Sequence, residues 1–115
     1  MAEALRVELV YDTDCPNVDG ARTAIRTALA AVGAPAVWRE WNRADPATLD
    51  VLRGLGSPSV LVDGLNVGAD GSAALENDAN SCRVYVDAKG SLCGAPTAEM
   101  ILVTIAAARR GKAIA

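Results

Sequence analysis

The sequence contains no histidine and no phenylalanine. Without histidine, a Cys–His or Ser–His nucleophile pair is excluded, and so is every histidine-based metal site. Acid–base chemistry would therefore fall to carboxylates, thiols, tyrosine or lysine. Because phenylalanine is missing, alanine, valine and leucine must fill the core of a chain that is 51% hydrophobic.

The chain also lacks an excess of positive charge. Its 115 residues carry a formal net charge of −3 and no basic stripe, which argues against strong nucleic-acid binding. No apolar stretch is long enough to span a bilayer, and the short, acidic N-terminal segment is not typical of a signal peptide. Three cysteines, an odd number, are not typical of a secreted disulfide framework. We therefore expect a cytoplasmic protein that binds neither nucleic acid nor membrane.

Hydrophobic periodicity predicts one α/β domain over residues 1–115, in the order β-α-β-α-β-β-α. Alternating or continuous apolar residues predict four strands, at 5–11, 36–41, 58–62 and 83–87. Apolar residues at steps of three and four predict three helices, at 16–32, 46–55 and 96–110. We expect a mixed four-stranded sheet in which the first two strands are parallel and the last two antiparallel. The stretch 64–81, rich in Gly, Asn, Asp and Ala, is expected to be a long loop insertion.

The position most suggestive of chemistry is Cys15, between the first predicted strand and the first predicted helix. Pro16 suits the first helical position, which would make Cys15 the cap residue. The free N–H groups and the helix dipole would then favour the reactive thiolate, whereas Asp12, Asp14 and Asp19 would disfavour a second anion. A second interpretation makes Asp14 the cap. A third makes Cys15 a small buried apolar residue without a chemical role.

Three segments resemble the thioredoxin superfamily. The first is Asp14-Cys15-Pro16-Asn17-Val18, which opens a helix after a strand. The second is Gly56-Ser57-Pro58-Ser59-Val60, which opens an apolar strand, and the third is Gly94-Ala95-Pro96 before the last helix. The resemblance implies a three-layer sandwich, a reactive Cys15, and a Pro58 that is held cis and faces it. The chain is also similar to short bacterial thioredoxin-like proteins associated with organomercurial lyases.

The chain departs from the family pattern at the second cysteine of the Cys-x-x-Cys motif, where it has Val18. Val18 cannot resolve a mixed disulfide, so Cys15 acts either alone or with a distant cysteine. If the fourth strand runs antiparallel to the third, Cys93 lies at the same end of the sheet as Cys15, and Cys82 at the far end. A five-residue strand spans roughly 16 Å, too far for a disulfide. Cys93 is therefore the expected partner, and Cys82 approaches only if the insertion folds back.

These residues predict three alternative functions. In the first, Cys15 takes part in thiol–disulfide exchange or forms a mixed disulfide with a small thiol or a protein thiol, and Cys93 resolves it. In the second, thiolates drawn from Cys15, Cys93 and Cys82 bind a soft metal or an organomercurial, and a nearby aspartate protonates the leaving carbon. In the third, the chain is a non-catalytic binding module. None of these functions requires a cofactor, and the candidate site residues are Cys15, Cys93, Pro58 and Asp14.

Overall fold

The structure is a computed structural model, and it describes residues 5–68, 74–77, 82–87 and 89–114. The elements of this part follow one another in the order β1 (Val7–Tyr11), α1 (Val18–Ala31), β2 (Arg39–Asn42), α2 (Asp50–Arg53), β3 (Ser59–Val62), β4 (Leu65–Asn66), β5 (Ala74–Asn77), β6 (Cys82–Val86), β7 (Leu92–Cys93) and α3 (Ala98–Ile114). Within this part, no helix combines the length and the apolar character needed to cross a membrane.

The central element is a mixed sheet of four strands in the order β2-β1-β3-β4. Strands β1 and β2 are parallel, as expected for two strands joined through a helix. Strand β3 runs antiparallel to both β1 and β4. Leu9, in the middle of β1, lies opposite Glu40 on one side and Val60 on the other. The expected mixed α/β class, with a four-stranded mixed sheet and three helices, is confirmed.

The fourth strand of this sheet is not the one expected from the sequence. Residues 82–86 form the middle strand of a separate sheet, β5-β6-β7, in which all neighbours are antiparallel. The fourth position is taken by β4, because Asp63 and Gly64 both have positive φ values, 49° and 83°, and turn the chain back directly after β3. The stretch 64–81 is therefore not a simple loop, since it contains β4 and β5. Its residues 69–73 and 78–81 lie outside the described part.

Two apolar clusters lie on opposite faces of the four-stranded sheet. The larger one joins the sheet to α1 and α3, and its fully buried members include Leu9, Ile25, Val60, Ile101 and Ile105. The smaller one lies under α2 and consists of Val10, Leu52 and Leu61. Burying one such aliphatic side chain contributes about 1.5–3 kcal/mol, so the larger cluster supplies most of the apolar stabilisation.

The second sheet is joined to the first by a buried tyrosine. Tyr85, in β6, has no exposed surface, and its hydroxyl donates a hydrogen bond of 2.6 Å to the carbonyl oxygen of Pro58. Pro58 directly precedes β3. The strand expected at 83–87 thus contacts the start of the third strand through one side chain, although the two strands do not pair.

The second helix is shorter than expected. The Asp45-Pro46 pair begins a turn, in which the Asp45 carboxylate accepts the N–H of Ala47 at 2.9 Å, and α2 starts only at Asp50. The Arg53 guanidinium donates to the carbonyl oxygens of Asp45 and Pro46 at 3.0 and 2.9 Å. The Asp45 carbonyl oxygen also accepts the Thr48 N–H at 3.0 Å, so the segment after Asp45 is a turn to which Arg53 binds, and the helical segment is confined to one turn.

Candidate thiol site

Cys15 lies in a tight turn between β1 and α1. Its backbone N–H donates to the carbonyl oxygen of Asp12 at 3.0 Å, and α1 begins three residues later, at Val18. The N-cap residue is Asn17, whose side chain makes no capping hydrogen bond. The expected cap role of Cys15 is therefore wrong, and so is the alternative with Asp14 as cap. The first helical hydrogen bond runs from the Ala21 N–H to the carbonyl oxygen of Asn17 at 3.1 Å, so the helix starts after the turn.

A serine connects this turn to the start of β3. The buried hydroxyl of Ser57 accepts a hydrogen bond from the Asp12 N–H at 2.9 Å. The next peptide bond, Ser57–Pro58, is cis, which confirms the conformation expected from the sequence. Asp12 thus holds two connections at once, since its carbonyl oxygen binds Cys15 and its N–H binds Ser57. Through them the segment that contains the cis proline is fixed to the turn that contains the thiol.

A pocket of about 250 Å³ opens at the Cys15 thiol. Cys15 is half-buried and packs against the larger apolar cluster. The other lining residues come from β1, from the turn and from the first part of α1, and they are Tyr11, Thr13, Pro16, Val18, Asp19 and Arg22. Three of these are apolar or aromatic and three are polar or charged, so the pocket offers both kinds of contact to a small ligand.

One wall of the pocket is an arginine held in a fixed position. Arg22 donates from Nε and Nη2 to the two oxygens of Glu40, at 2.8 and 2.9 Å, and from Nη1 to Asp19 at 2.9 Å. Its guanidinium also lies over the ring of Tyr11, 5.7 Å from the centroid. The hydrogen bonds from Arg22, with a further one from the indole N–H of Trp38, lower the pKa of Glu40, and burial opposes this shift. The same pairing raises the pKa of Arg22, which stays charged.

A second arginine neutralises the carboxylate of the turn. Arg43 donates from Nη1 to both oxygens of Asp12, at 2.9 Å each, and its backbone N–H continues the pairing with the carbonyl oxygen of Tyr11. Asp14, the nearest carboxylate in sequence to the thiol, is exposed and has no hydrogen bond or ion pair with the described residues. The carboxylates of Asp12 and Asp14 therefore differ in their surroundings, since Asp12 is paired with an arginine and Asp14 faces solvent.

Cys93 has a carboxylate neighbour that the sequence analysis missed. Its sulfur lies 3.9 Å from Oδ2 of Asp87 and 3.8 Å from the carbonyl oxygen of Ser91, both within reach of a weak S–H hydrogen bond. The other carboxylate oxygen of Asp87 accepts the N–H groups of Lys89 and Ser91 at 2.9 Å each. These bonds fix the hairpin between β6 and β7 and leave Oδ2 directed at the thiol.

The residues after Cys93 pack against the beginning of α1. The side chain of Asn17 occupies the space where a Cβ at Gly94 would lie, and a Cβ at Gly20 would lie 3.6 Å from the Cβ of Ala95. Cys93 is thus one residue from a close contact with Asn17, and Cys15 is two residues from Asn17. This packing brings the Cys93 segment to the start of α1 without the strand pairing from which its position was predicted.

Cys15 and Cys93 are both free thiols. Cys93 pairs with Tyr85 in the second sheet. Cys82 precedes Tyr85 by three residues in β6, so the backbone of Cys82 lies about 10 Å along the strand from this pair. That separation is too large for a disulfide between Cys82 and Cys93 without backbone movement. The side chain of Cys82 lies outside the described part. Within that part, no three His, Cys, Asp or Glu side chains come together as a metal site would need.

Arg22 and Glu40 were also missed as components of the site. The spacing of Asp19 and Arg22, three residues apart on one helix, is a signal for an ion pair that could have been found. The role of Glu40 could not have been found in this way, because Glu40 reaches Arg22 only through the parallel pairing of β1 and β2.

A comparison with known proteins finds no matching family model, no matching curated protein and no matching solved structure.

Proposed function

We propose that the chain is a thioredoxin-like thiol protein in which the Cys15 thiolate attacks a disulfide. The observation that carries the proposal is that the half-buried thiol opens into a pocket while its turn is hydrogen-bonded to Ser57, next to the cis proline. The strand order β2-β1-β3-β4, with β3 antiparallel to β1, supports the thioredoxin-like assignment. We further propose that the protein works in the reducing cytoplasm, where free thiols persist.

The first chemical step forms one disulfide and breaks another. The Cys15 thiolate attacks one sulfur of R–S–S–R, which gives Cys15–S–S–R and releases the thiolate R–S⁻. Cys15 is oxidised in this step and the released sulfur is reduced. Tyr11, Pro16 and Val18 provide apolar contacts for the aliphatic part of R.

The second step is assigned to Cys93. Its thiol would give its proton to Asp87 and attack the Cys15 sulfur, which forms a Cys15–Cys93 disulfide and releases R–S⁻. The proximity of Asp87 Oδ2 to the Cys93 sulfur supports this role, and so does the packing of Gly94 on Asn17.

Site-resolved labelling tests the proposal, because trypsin places the three cysteines in separate peptides, 7–22, 54–83 and 90–109. We expect Cys15 to react fastest with iodoacetamide in the folded protein, and the three rates to converge in urea. With a small disulfide, wild type should end with a Cys15–Cys93 bond, whereas C93S should retain the mixed disulfide on Cys15. Faster labelling of Cys82 or Cys93, or an inert Cys15, would leave the non-catalytic binding module as the better interpretation.

One observation favours a second candidate, the handling of soft metals or organomercurials. Two thiolates and a proton donor suffice for cleavage of a carbon–mercury bond, and Asp87 beside Cys93 adds such a carboxyl group. The thiolates would bind mercury and the carboxylic acid would transfer its proton to the leaving carbon. Methylmercury distinguishes the two candidates: release of methane supports organomercurial handling, and uptake of methylmercury by the thiols without methane contradicts it.

A further inference from the structure

We propose that the pocket beside Cys15 selects neutral or cationic disulfides and thiols over anionic ones, with Asp14 and Asp19 as its specificity-determining residues. This inference rests on the thiol function proposed above and names the class of substrate. It is carried by the balance of charge around the pocket, counted over the residues that the structure describes.

The arginine that lines the pocket, Arg22, and the arginine that binds the turn, Arg43, are both paired with carboxylates. Arg43 binds both carboxylate oxygens of Asp12. Arg22 binds both oxygens of Glu40 and one oxygen of Asp19, so its single positive charge faces two carboxylates. Although Arg22 lines the pocket, it is therefore not a free anchor for an anionic substrate.

Two negative charges remain after these pairs are counted. Asp19 lines the pocket and its side chain is 92% exposed, so its bond to Arg22 leaves most of the carboxylate in water. Asp14 directly precedes the thiol and is exposed, with no partner in the described part of the chain. Charge interactions reach about 8 Å at physiological ionic strength, which exceeds the width of a 250 Å³ space. A carboxylate carried by the substrate is repelled there, and an ammonium group is attracted.

Three symmetric disulfides of similar size test this selectivity: cystamine with two ammonium groups, 2-hydroxyethyl disulfide with none, and 3,3′-dithiodipropionate with two carboxylates. The rate at which each reagent consumes the free Cys15 thiol, whether as a mixed disulfide or as a Cys15–Cys93 bond, is measured by mass spectrometry in the intact protein. Each rate is divided by the rate at which N-acetylcysteine amide, a neutral thiol, reacts with the same disulfide, because the three disulfides differ in intrinsic reactivity. The ratios between reagents are then independent of how readily Cys15 itself ionises.

We expect the normalised rate to fall from cystamine to 2-hydroxyethyl disulfide to 3,3′-dithiodipropionate, with about tenfold between the extremes at low ionic strength. In about 1 M salt the extremes should come within about twofold of each other. D14N and D19N should each reduce the tenfold ratio to about threefold. D50N is the matched control, because Asp50 is an exposed aspartate on α2, and it should leave the ratio unchanged.

Equal normalised rates for the three reagents, or a faster reaction with 3,3′-dithiodipropionate, would overturn the selectivity while leaving the thiol function intact. A failure of all three reagents to modify Cys15 would instead overturn the thiol function itself. The salt dependence is measured on wild type, so the selectivity stays testable even if D14N or D19N folds poorly.

Discussion

The hydroxyl of Ser57 accepts the backbone N–H of Asp12 at 2.9 Å, across 45 residues of sequence. Ser57 is 1% exposed, so water cannot replace it as the acceptor. This bond joins the segment before β3 to the turn that holds Cys15. The position of the thiol relative to the sheet therefore depends on a side chain that has no chemical role of its own.

Replacement of Ser57 by alanine should lower the free energy of unfolding by about 1–3 kcal/mol, because the Asp12 N–H loses its acceptor in a buried place. Urea denaturation measures this change. S91A is the control, since Ser91 is exposed and bonds Asp87 through its backbone, and it should change stability by less than about 0.5 kcal/mol. Equal stability of S57A and wild type would mean that the turn does not need this bond.

A Cβ at Gly94 would meet the end of the Asn17 side chain, which must shift to make room for it. G94A should destabilise the protein by about 1 kcal/mol, at the lower end of the cost of overpacking, because the obstacle is a flexible side chain rather than backbone. G54A is the control, because a Cβ at Gly54 meets only ordinary contacts. The double variant G94A/N17A should recover most of the loss, since Asn17 makes no side-chain cap bond. Absence of that recovery would contradict the steric explanation.

Tyr85 joins the second sheet to the first through its hydroxyl. Y85F removes the bond to the Pro58 carbonyl oxygen and should cost about 0.5–1.5 kcal/mol in unfolding free energy. Y11F is the matched control, because Tyr11 is half-buried and contacts Arg22 with its ring rather than its hydroxyl. Thermal or urea unfolding distinguishes the two variants, and similar values for both would argue against a structural role of the Tyr85 hydroxyl.

Stability should depend on pH through Glu40. Its pKa in the folded protein is lowered from the ordinary 4.5, chiefly by hydrogen bonds from Arg22. A lowered carboxyl pKa contributes stability that is fully present above the unfolded-state value and is lost as pH falls through the folded-state value. The difference in unfolding free energy between wild type and E40Q should therefore be largest near neutral pH and shrink below about pH 4.5.

The size of this difference should be about 0.5–1 kcal/mol, because both side chains are about one third exposed, 33% for Arg22 and 29% for Glu40. Urea denaturation from neutral pH down to about pH 3 measures it. In the R22Q background the replacement of Glu40 by Gln should cost less, and its pH dependence should become smaller, because the hydrogen bond from Trp38 remains. A pH-independent difference in the Arg22 protein would contradict this account.

Much of the fold could be predicted from the sequence, because β1, α1 and β3 have apolar patterns that match their burial. The identity of the fourth strand was missed, although Asp63-Gly64 between apolar residues is a recognised signal for a tight hairpin. The start of α1 was missed because Pro16 favours the first helical position, whereas the first helical hydrogen bond runs from the Ala21 N–H to the Asn17 carbonyl oxygen.

The candidate site could be predicted only in part. The site of the thiol at Cys15 and the cis conformation of the proline could be predicted from short sequence motifs. In both cases the neighbouring residues define the local backbone conformation. The pairing of Arg22 with Glu40 depends on the register of two parallel strands, and Asp87 faces Cys93 only because the β6–β7 hairpin folds as it does. Arg22 and Glu40 are 18 residues apart, and Asp87 and Cys93 are six residues apart across a hairpin, so neither contact follows from the sequence pattern of one helix or strand.

The two outer strands of the four-stranded sheet also affect whether copies of the chain associate at high protein concentration. An open strand edge invites another chain to add to it, which is the first step of β-aggregation. On one side β2 presents Arg39 and Glu40, and the Arg39 guanidinium covers the ring of Trp41 at 4.8 Å. On the other side β4 is only two residues long. Charge discourages strand addition at one edge and shortness does so at the other, so in the described part of the chain this sheet is protected against polymerisation.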